Sequence, residues 1–349
     1  MKLWPSTTTK IKLRNWEYWP SKAFYYPIAP YLIWLMIKAR HMCYWSAVNP
    51  GIYTAGMGME SKFDTLQLLP APYRPTSVFL PFGIKREAVK QALASAGLQF
   101  PLIVKPDLGF RGLLVRKVSH LDALMDNLKA HDIHFIAQEY LDCPEEAGVL
   151  YHRMPGAARG RITSLTTKEF LHVTGDGHST VRALIKQKPR AILQLDRIAE
   201  HYSYLLDTVP QAGARVPLGI VGNHAKGTRF INSNAEVNER MVDVFDQISA
   251  QIEGFFYGRF DLKYQNPDSL YTGKGIKIIE VNGVCSEPTH IYDPEQGTYW
   301  SALRDLAQHW GIIYRIAKAN RRRGVPILSH RETAQSFLDL FAYQRKVKE

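Results

Sequence analysis

An α+β fold is what this sequence predicts, and three observations predict it. From about Thr76 onward, segments whose apolar residues recur at helical spacing alternate with shorter segments of strand-like alternation. The composition, 46% hydrophobic and 22% charged, matches that of soluble globular proteins rather than a disordered chain or a membrane bundle. The 349 residues exceed one minimal domain and suffice for two or three cooperating cores.

The elements follow in order. The first seventy-odd residues mix aromatic runs with turn signals (Asn49 to Gly51, then AGMGME), and the proline-rich LLPAPYRPTSVFLPFG reads as a linker. Lys85 to Ala96 carries apolar residues at helical spacing and is stopped by Gly97; QFPLIVKP then alternates as a strand. LLVRKV reads as a second strand, LDALMDNLKAH as a helix and HFIAQEYL as a third strand. A longer stretch continues with strand-like GRITSLTTKEFLHVTG, the turn GDGHST, the helix VRALIKQ, the segment GARVPLGIVGN and a helix from Glu236 to Glu253. Two closing strands, GRFDLKY and GIKIIEVN, are joined by a polar loop in the manner of a hairpin. From Trp300 on, apart from the GVPI break, the chain is amphipathic and basic, as terminal helices would be. The expected regions are therefore 1–75, 76–150, 151–300 and 301–349.

Composition narrows the function. Cys43, Cys143 and Cys285 lie far apart without CxxC or Cys/His ligand spacing, which supports neither a disulfide framework nor a zinc site and fits a reducing, cytoplasmic setting. The basic start is not followed by an uninterrupted apolar core and a cleavage site, so no signal peptide is expected. Ala23 to Ile37 is the most apolar stretch, but it is short for a span of ~20 residues and is interrupted by Pro27 and Pro30. A buried aromatic helix starting after Pro30 is expected there; an interfacial segment on a membrane is the lesser reading, kept open by Trp16, Trp19 and Lys38 to Arg40. The net charge of +12 suits an anionic ligand, and with no zinc finger, helix-turn-helix or RNP-like pattern no nucleic-acid partner is expected. A homo-oligomer stays open.

Three groups of residues carry chemistry. On a strand, Glu280 and Asn282 in IIEVN project to one face with Val281 turned to the core; if the hairpin pairs, Asp261 of RFDLKY joins them. Three oxygen-bearing side chains suit a hard cation such as Mg2+, and Arg259 on the same face could neutralise a transferring phosphoryl group. The same residues would also fit a surface salt-bridge ladder. Lys105 closes an apolar strand before a loop with Gly109 and Gly112, where bare backbone can approach phosphates, although no GxxxxGK[ST] motif occurs. Third, FIAQEYLDCPEEAGVLY runs from a strand into an acidic turn where Glu145 or Glu146 could meet ribose hydroxyls.

The order of these motifs resembles the ATP-grasp superfamily, and within it the D-alanine:D-alanine ligase and cyanophycin synthetase branch, from about Glu60 to Pro294. The resemblance implies an ATP-grasp fold, with ATP held between two α+β subdomains, a short preceding region and helices after it. It places phosphate-binding lysines at Lys62 and Lys105, an adenine hinge at Glu139, Tyr140 and Leu141, and a ribose-binding carboxylate at Glu146, seven residues after Glu139. Lys168 in TTKEF corresponds to a further lysine, VTGDGHSTVRALI is similar to the VxGDGxST segment of cyanophycin synthetases, and the R-x-D and E-x-N motifs land on Arg259, Asp261, Glu280 and Asn282. The loop between Asp261 and Glu280 is longer than in the ligases, and GVCSEPTHIYDP replaces their short turn after Asn282.

What this implies is an ATP- and Mg2+-dependent carboxylate-amine ligase working through an acyl phosphate on small-molecule acids and amines such as amino acids or peptides. Lys168, Arg259 and Arg215 are its catalytic candidates, and Arg215, Asn223 and His224 in the basic loop GARVPLGIVGNHAKGTRF are candidates for holding the acyl phosphate or acceptor; His172 and His178 are read as structural. An ATP-grasp phosphotransferase and a non-catalytic nucleotide-binding or membrane-docked module are the rival readings. No GxSxG elbow or Cys/His pair at motif spacing argues for a protein nucleophile.

Overall fold

The computed structural model of the chain describes residues 6–109, 112–219 and 221–348. It is an α+β structure whose strand pairings, among the described residues, are all antiparallel. Phe110, Arg111 and Ile220, which fall within the two loops singled out above, lie outside the described residues, as do Met1 to Pro5 and Glu349.

The amino-terminal part is helical. A short α1 (Thr7–Arg14) is capped by Ser6 Oγ, which accepts from the Thr9 amide at 3.2 Å. The next helix, α2 (Ser21–Ala39), corrects the expectation of a start after Pro30: it begins at Ser21 and runs through both prolines. Each internal proline removes one ladder hydrogen bond. The loss is offset because Phe24, Ile28 and Leu35 bury themselves against the carboxy-terminal helices. After two turns of 3-10 helix comes α3 (Lys62–Gln67), whose cap is Ser61.

The first sheet gathers β1 (Ser77–Leu80), β2 (Leu102–Pro106), β3 (Arg116–Val118) and β4 (Phe135–Glu139) in the order β1-β4-β2-β3, with α4 (Arg86–Ser95) and α5 (Leu121–Lys129) on one face. Here SVFL, expected within a linker, is an edge strand. Pro75 and Pro81 bracket it, which an edge tolerates because only one side of the strand needs ladder partners. LLVRKV contributes only its last three residues to the sheet.

A five-stranded sheet follows, ordered β11-β10-β5-β6-β9. Its strands are β5 (Glu145–His152), β6 (Arg161–Glu169), β9 (Arg229–Asn232), β10 (Tyr257–Tyr264) and β11 (Ile276–Asn282). β5 straddles the expected boundary at 150 and pairs only in this second sheet, with β10 and β6. Between β6 and β9 the chain makes the small pair β7 (His172–Thr174) and β8 (Arg215–Pro217), packed on α6 (Val181–Gln187), α7 (Pro189–Ile192), α8 (Leu195–His201) and α9 (Ser203–Leu206). Period-two alternation sorts the large sheet. Phe260, Leu262 and Tyr264, with Val149 and Ile278, pack on α10 (Glu239–Ala250), while Arg259 and Asp261 point to the opposite face. The one-turn α11 (Ser269–Thr272) occupies the β10–β11 connection.

Two helices close the chain. α12 (Tyr299–Arg322) starts with a Thr298/Ser301 capping box and buries its apolar face on α2. α13 (His330–Lys348) reaches back to the first sheet, where Val347 joins the core. No helix among the described residues is long and apolar enough to cross a membrane.

Candidate functional site

The two larger sheets face one another across a cleft of about 1440 Å³. Lys62, Lys105, Gly109, Gly112, Glu139, Tyr140, Leu141, Glu146, Lys168, Arg259, Asp261, Glu280 and Asn282 all line it. The structure thus brings these residues together, while of the two acids offered for the ribose only Glu146 lines the cleft and Glu145 does not.

The β10–β11 hairpin builds the acidic wall. Asp261 lies opposite Glu280 and Arg259 opposite Asn282, so all four side chains share the cleft face. Leu262 then pairs with Ile278, leaving Ile279 as an extra bulged residue. Lys105, reaching across from β2 of the other sheet, donates to the Ile279 carbonyl oxygen at 2.9 Å and to Gln138 Oε1 at 3.3 Å. The bulge therefore supplies an acceptor that ties the two sheets together at the cleft floor.

Cations and carboxylates alternate around this wall. Lys168 on β6 donates to Glu146 Oε1 at 2.8 Å and to Asp261 Oδ1 at 3.1 Å. Arg259 Nη2 meets Asp261 Oδ2 at 2.9 Å, and the Asn282 amide donates to the same oxygen at 2.9 Å. Lys62 forms an ion pair with Glu280. Its helix is anchored by Asp107, whose carboxylate accepts from the Ser61 hydroxyl and the Phe63 amide, each at 2.9 Å.

Electrostatics follow from this packing. Burial would raise the Asp261 carboxyl, but Arg259 and Lys168 outweigh it and hold the group well below the usual carboxylate range. Glu280 is likewise lowered, with burial opposing and Lys62 prevailing. Lys168 is raised, Asp261 and Glu146 overcoming the desolvation that would lower it. Lys105 goes the other way: burial lowers its ammonium from 10.5 to about 8, with Glu280 resisting and Lys62 adding to the fall.

The glycines do two different jobs. A Cβ on Gly109 would come within 2.9 Å of Lys62 Cε, so its bare backbone makes room for that lysine. Gly112 holds φ near +74°, and a Cβ there would sit 2.6 Å from Val221 Cγ1 of the facing loop. Glu139 Oε1 accepts from the Thr76 amide at 3.1 Å, and the Lys117 ammonium covers the Tyr140 ring at 3.7 Å from its centroid. Glu146 is buried in its pair with Lys168 and lies beside the acidic wall.

Arg215 is the exception. It sits on β8 with its side chain 67% exposed, 3.9 Å from Glu169, and does not line the cleft. Its strand pairs with β7 rather than with the five-stranded sheet, and that pairing turns it away. Asn223 and His224 do line the cleft. There the sequence reading missed a buried cluster: Glu17 Oε2 accepts from Arg190 Nη2 at 2.5 Å and meets His224 Nε2 at 2.9 Å. Glu17 and Arg190 are 173 positions apart, and the one trace of this contact in the sequence is a lone acid inside the aromatic run WEYW. Away from the cleft, His41, Cys43 and His330 place ligand-type atoms within 4.8 Å of one another, which spacing alone could not reveal. Arg321 beside His41 opposes a further cation at that trio.

No family model matches the sequence, and no curated protein matches it. Solved structures do match at low similarity. The VanG D-Ala:D-Ser ligase from Enterococcus faecalis is 14% identical, with 76% of this chain covering 64% of that one at a TM-score of 0.43. The D-alanine–D-alanine ligase from Bacillus anthracis complexed with ATP is 14% identical over 78% of this chain and 71% of that one, with a TM-score of 0.41. A bifunctional glutathione synthetase from Pasteurella multocida is 18% identical over 72% of this chain but only 35% of its own length, with a TM-score of 0.37. Likeness at this level decides neither activity nor substrate.

Proposed function

We propose that the chain is an ATP-grasp enzyme that binds MgATP in the cleft between its two larger sheets and uses it to activate a carboxylate for attack by an amine. The observation that carries this reading is the convergence of Lys62, Lys105, Lys168 and Arg259 with Asp261, Glu280 and Asn282 in one cleft, from both of its walls. Four cations packed against three carboxylates, Glu146 included, leave an excess of positive charge that a triphosphate would match.

Asp261, Glu280 and Asn282 would hold Mg2+. The donor set fits: two carboxylates and an amide on adjacent strands offer hard oxygen ligands. When bound, the ion would neutralise charge on the phosphate oxygens and help align the reacting groups. The chain's own groups do the rest. Lys62, Lys168 and Arg259, each paired with a carboxylate in the cleft, would exchange those partners for phosphate oxygens, so the same cations would stabilise the charge of phosphoryl transfer. The stretch at Glu139, Tyr140 and Leu141 would take the adenine edge, and Glu146 the ribose.

The γ-phosphoryl would pass to a carboxylate oxygen, giving an acyl phosphate and ADP; the amine then attacks the carbonyl carbon and phosphate leaves. Position and charge suffice for this, and no side chain need act as nucleophile. The cleft exceeds the roughly 300–1,000 Å³ of a typical small-molecule site, so it has room for a second substrate. The Glu17, Arg190 and His224 group lines that remaining space.

Incubation with MgATP, candidate amino or peptide acids and hydroxylamine is expected to give ADP and an acyl hydroxamate. Release of ADP with a stable phosphorylated product and no hydroxamate would replace the ligase reading by a phosphotransferase one; absence of any ATP turnover would remove both.

The lowered Lys105 supplies a pH signature. Between about pH 8 and 10.5 the unfolded chain keeps this proton while the folded protein has lost it, so the group's contribution to stability rises with pH across that window. Phosphate binding favours the charged form, so ATP affinity is expected to fall as pH rises above about 8, with proton uptake on binding. Calorimetric titration in buffers of different ionisation enthalpy reads that uptake directly. A binding enthalpy independent of buffer, or an uptake retained in Lys105→Met, would contradict the assignment.

A further inference from the structure

We propose that α2 is a docking face for an anionic lipid bilayer, laid in the plane of the membrane surface beside the mouth of the cleft. The sequence of α2, SKAFYYPIAPYLIWLMIKA, contains no acidic residue and no charged one from Ala23 to Ile37, yet only one side of it is buried. Phe24, Ile28, Leu35 and Ala39 face the protein. Tyr26, Pro30, Ile33 and Ile37 face solvent and, at 100° per residue, fall within about 60° of arc, forming one ridge. Ile33 is 55% and Ile37 69% exposed, far more than large aliphatic side chains usually are, and Trp34 stands exposed beside them. The helix extends for roughly 28 Å, so the ridge is long enough to embed without spanning.

Charge selects the occupant. Exposed Lys22 stands at one end of α2 and Lys38 and Arg40 at the other, and α1 adds exposed Lys10, Lys12 and Arg14. From Ser6 to Met42 the one acid is Glu17, which is buried and paired with Arg190. Every exposed formal charge from Ser6 to Met42 is therefore positive, the pattern that complements acidic headgroups. The Lys38 ammonium lies 4.3 Å from the Trp34 ring centroid, so a cation and an indole already share the helix end where an interface would hold both. A second indole, on exposed Trp300, follows Tyr299, whose hydroxyl donates to the Ala23 carbonyl oxygen at 2.5 Å and so keeps it near the amino end of α2.

The placement bears on the cleft. Lys12, Trp19, Pro20 and Ser21 line it, and α2 begins at Ser21. A bilayer on the ridge would hold the helix whose first residue lines the cleft, which suits a substrate carried at the membrane surface. The docking itself holds whether or not the cleft turns over ATP.

Sedimentation of the full chain with phosphatidylcholine vesicles containing or lacking phosphatidylglycerol tests this. Binding is expected to be about tenfold or more stronger on the anionic vesicles at low salt and to weaken as salt rises. The exposed double substitution Ile33→Ser/Ile37→Ser is expected to weaken it on the order of tenfold or more, and Lys22→Glu/Lys38→Glu to remove the preference for anionic lipid, with unchanged thermal unfolding showing that both variants fold. Failure to bind anionic vesicles, equal binding by Ile33→Ser/Ile37→Ser, or a solution dimer that this variant splits would overturn the proposal, the last by showing a second copy on the ridge.

Discussion

Asp261→Ala is expected to lower folding stability by about 3–5 kcal/mol, the cost of leaving buried charges without their partner. The reason is local. Asp261 is the shared acceptor of Lys168, Arg259 and Asn282, and its side chain is only 9% exposed. Removing it leaves Arg259 without its carboxylate and Lys168 with Glu146 alone, in a place where both side chains are largely buried. Asp261→Asn keeps an acceptor but not the charge, and should fall between wild type and alanine. Urea unfolding measures the difference; a loss below about 1 kcal/mol would mean that the cluster is solvated and weakly coupled. The contribution is fully present above the ordinary aspartate value and is lost only as pH falls below it, because the folded-state carboxyl is lowered.

Glu280→Ala should behave differently although it faces Asp261 directly. Its side chain is 31% exposed, against 9% for Asp261, and it pairs with one lysine rather than two cations, so the stability cost is smaller. On the proposed reading the effect concentrates in turnover: loss of one of the three proposed oxygen ligands is expected to reduce MgATP-dependent turnover by about 10²–10³-fold. Lys105→Ala should instead weaken ATP binding by roughly tenfold to a hundredfold, as removal of a charge-assisted hydrogen bond does. Measuring ATP affinity with and without Mg2+ alongside steady-state turnover separates the two. Full activity in either variant would refute the assignment of the cleft, and a Glu280→Ala defect equally large without Mg2+ would refute the metal role alone.

Much of this arrangement was legible in the chain. Period-two alternation placed Arg259 with Asp261 and Glu280 with Asn282, and the hairpin brought them together as the pattern required. VRALIKQ formed the helix α6 over the expected residues because Thr180 caps it and its apolar positions repeat at helical spacing. Where the reading failed, tertiary contact had overridden a local rule. Pro27 and Pro30 argue for a helix start after them, yet packing on α12 carries α2 through both. The neighbours of Arg215 in sequence suggest a place at the cleft, but strand pairing rather than proximity along the chain decides where it stands.

The chain by itself determined the strands β2, β4, β10 and β11, the residues able to carry charge at the cleft and which of them share a strand face, because those depend on spacings of two to four positions. Only the tertiary structure decided that Lys105 would grip the Ile279 carbonyl oxygen, that Glu17 would meet Arg190 and His224, and that one side of α2 would be left bare. Those contacts join segments up to about two hundred residues apart, and no periodicity reaches that far; they exist because the sheets and helices, once packed, leave particular atoms within reach.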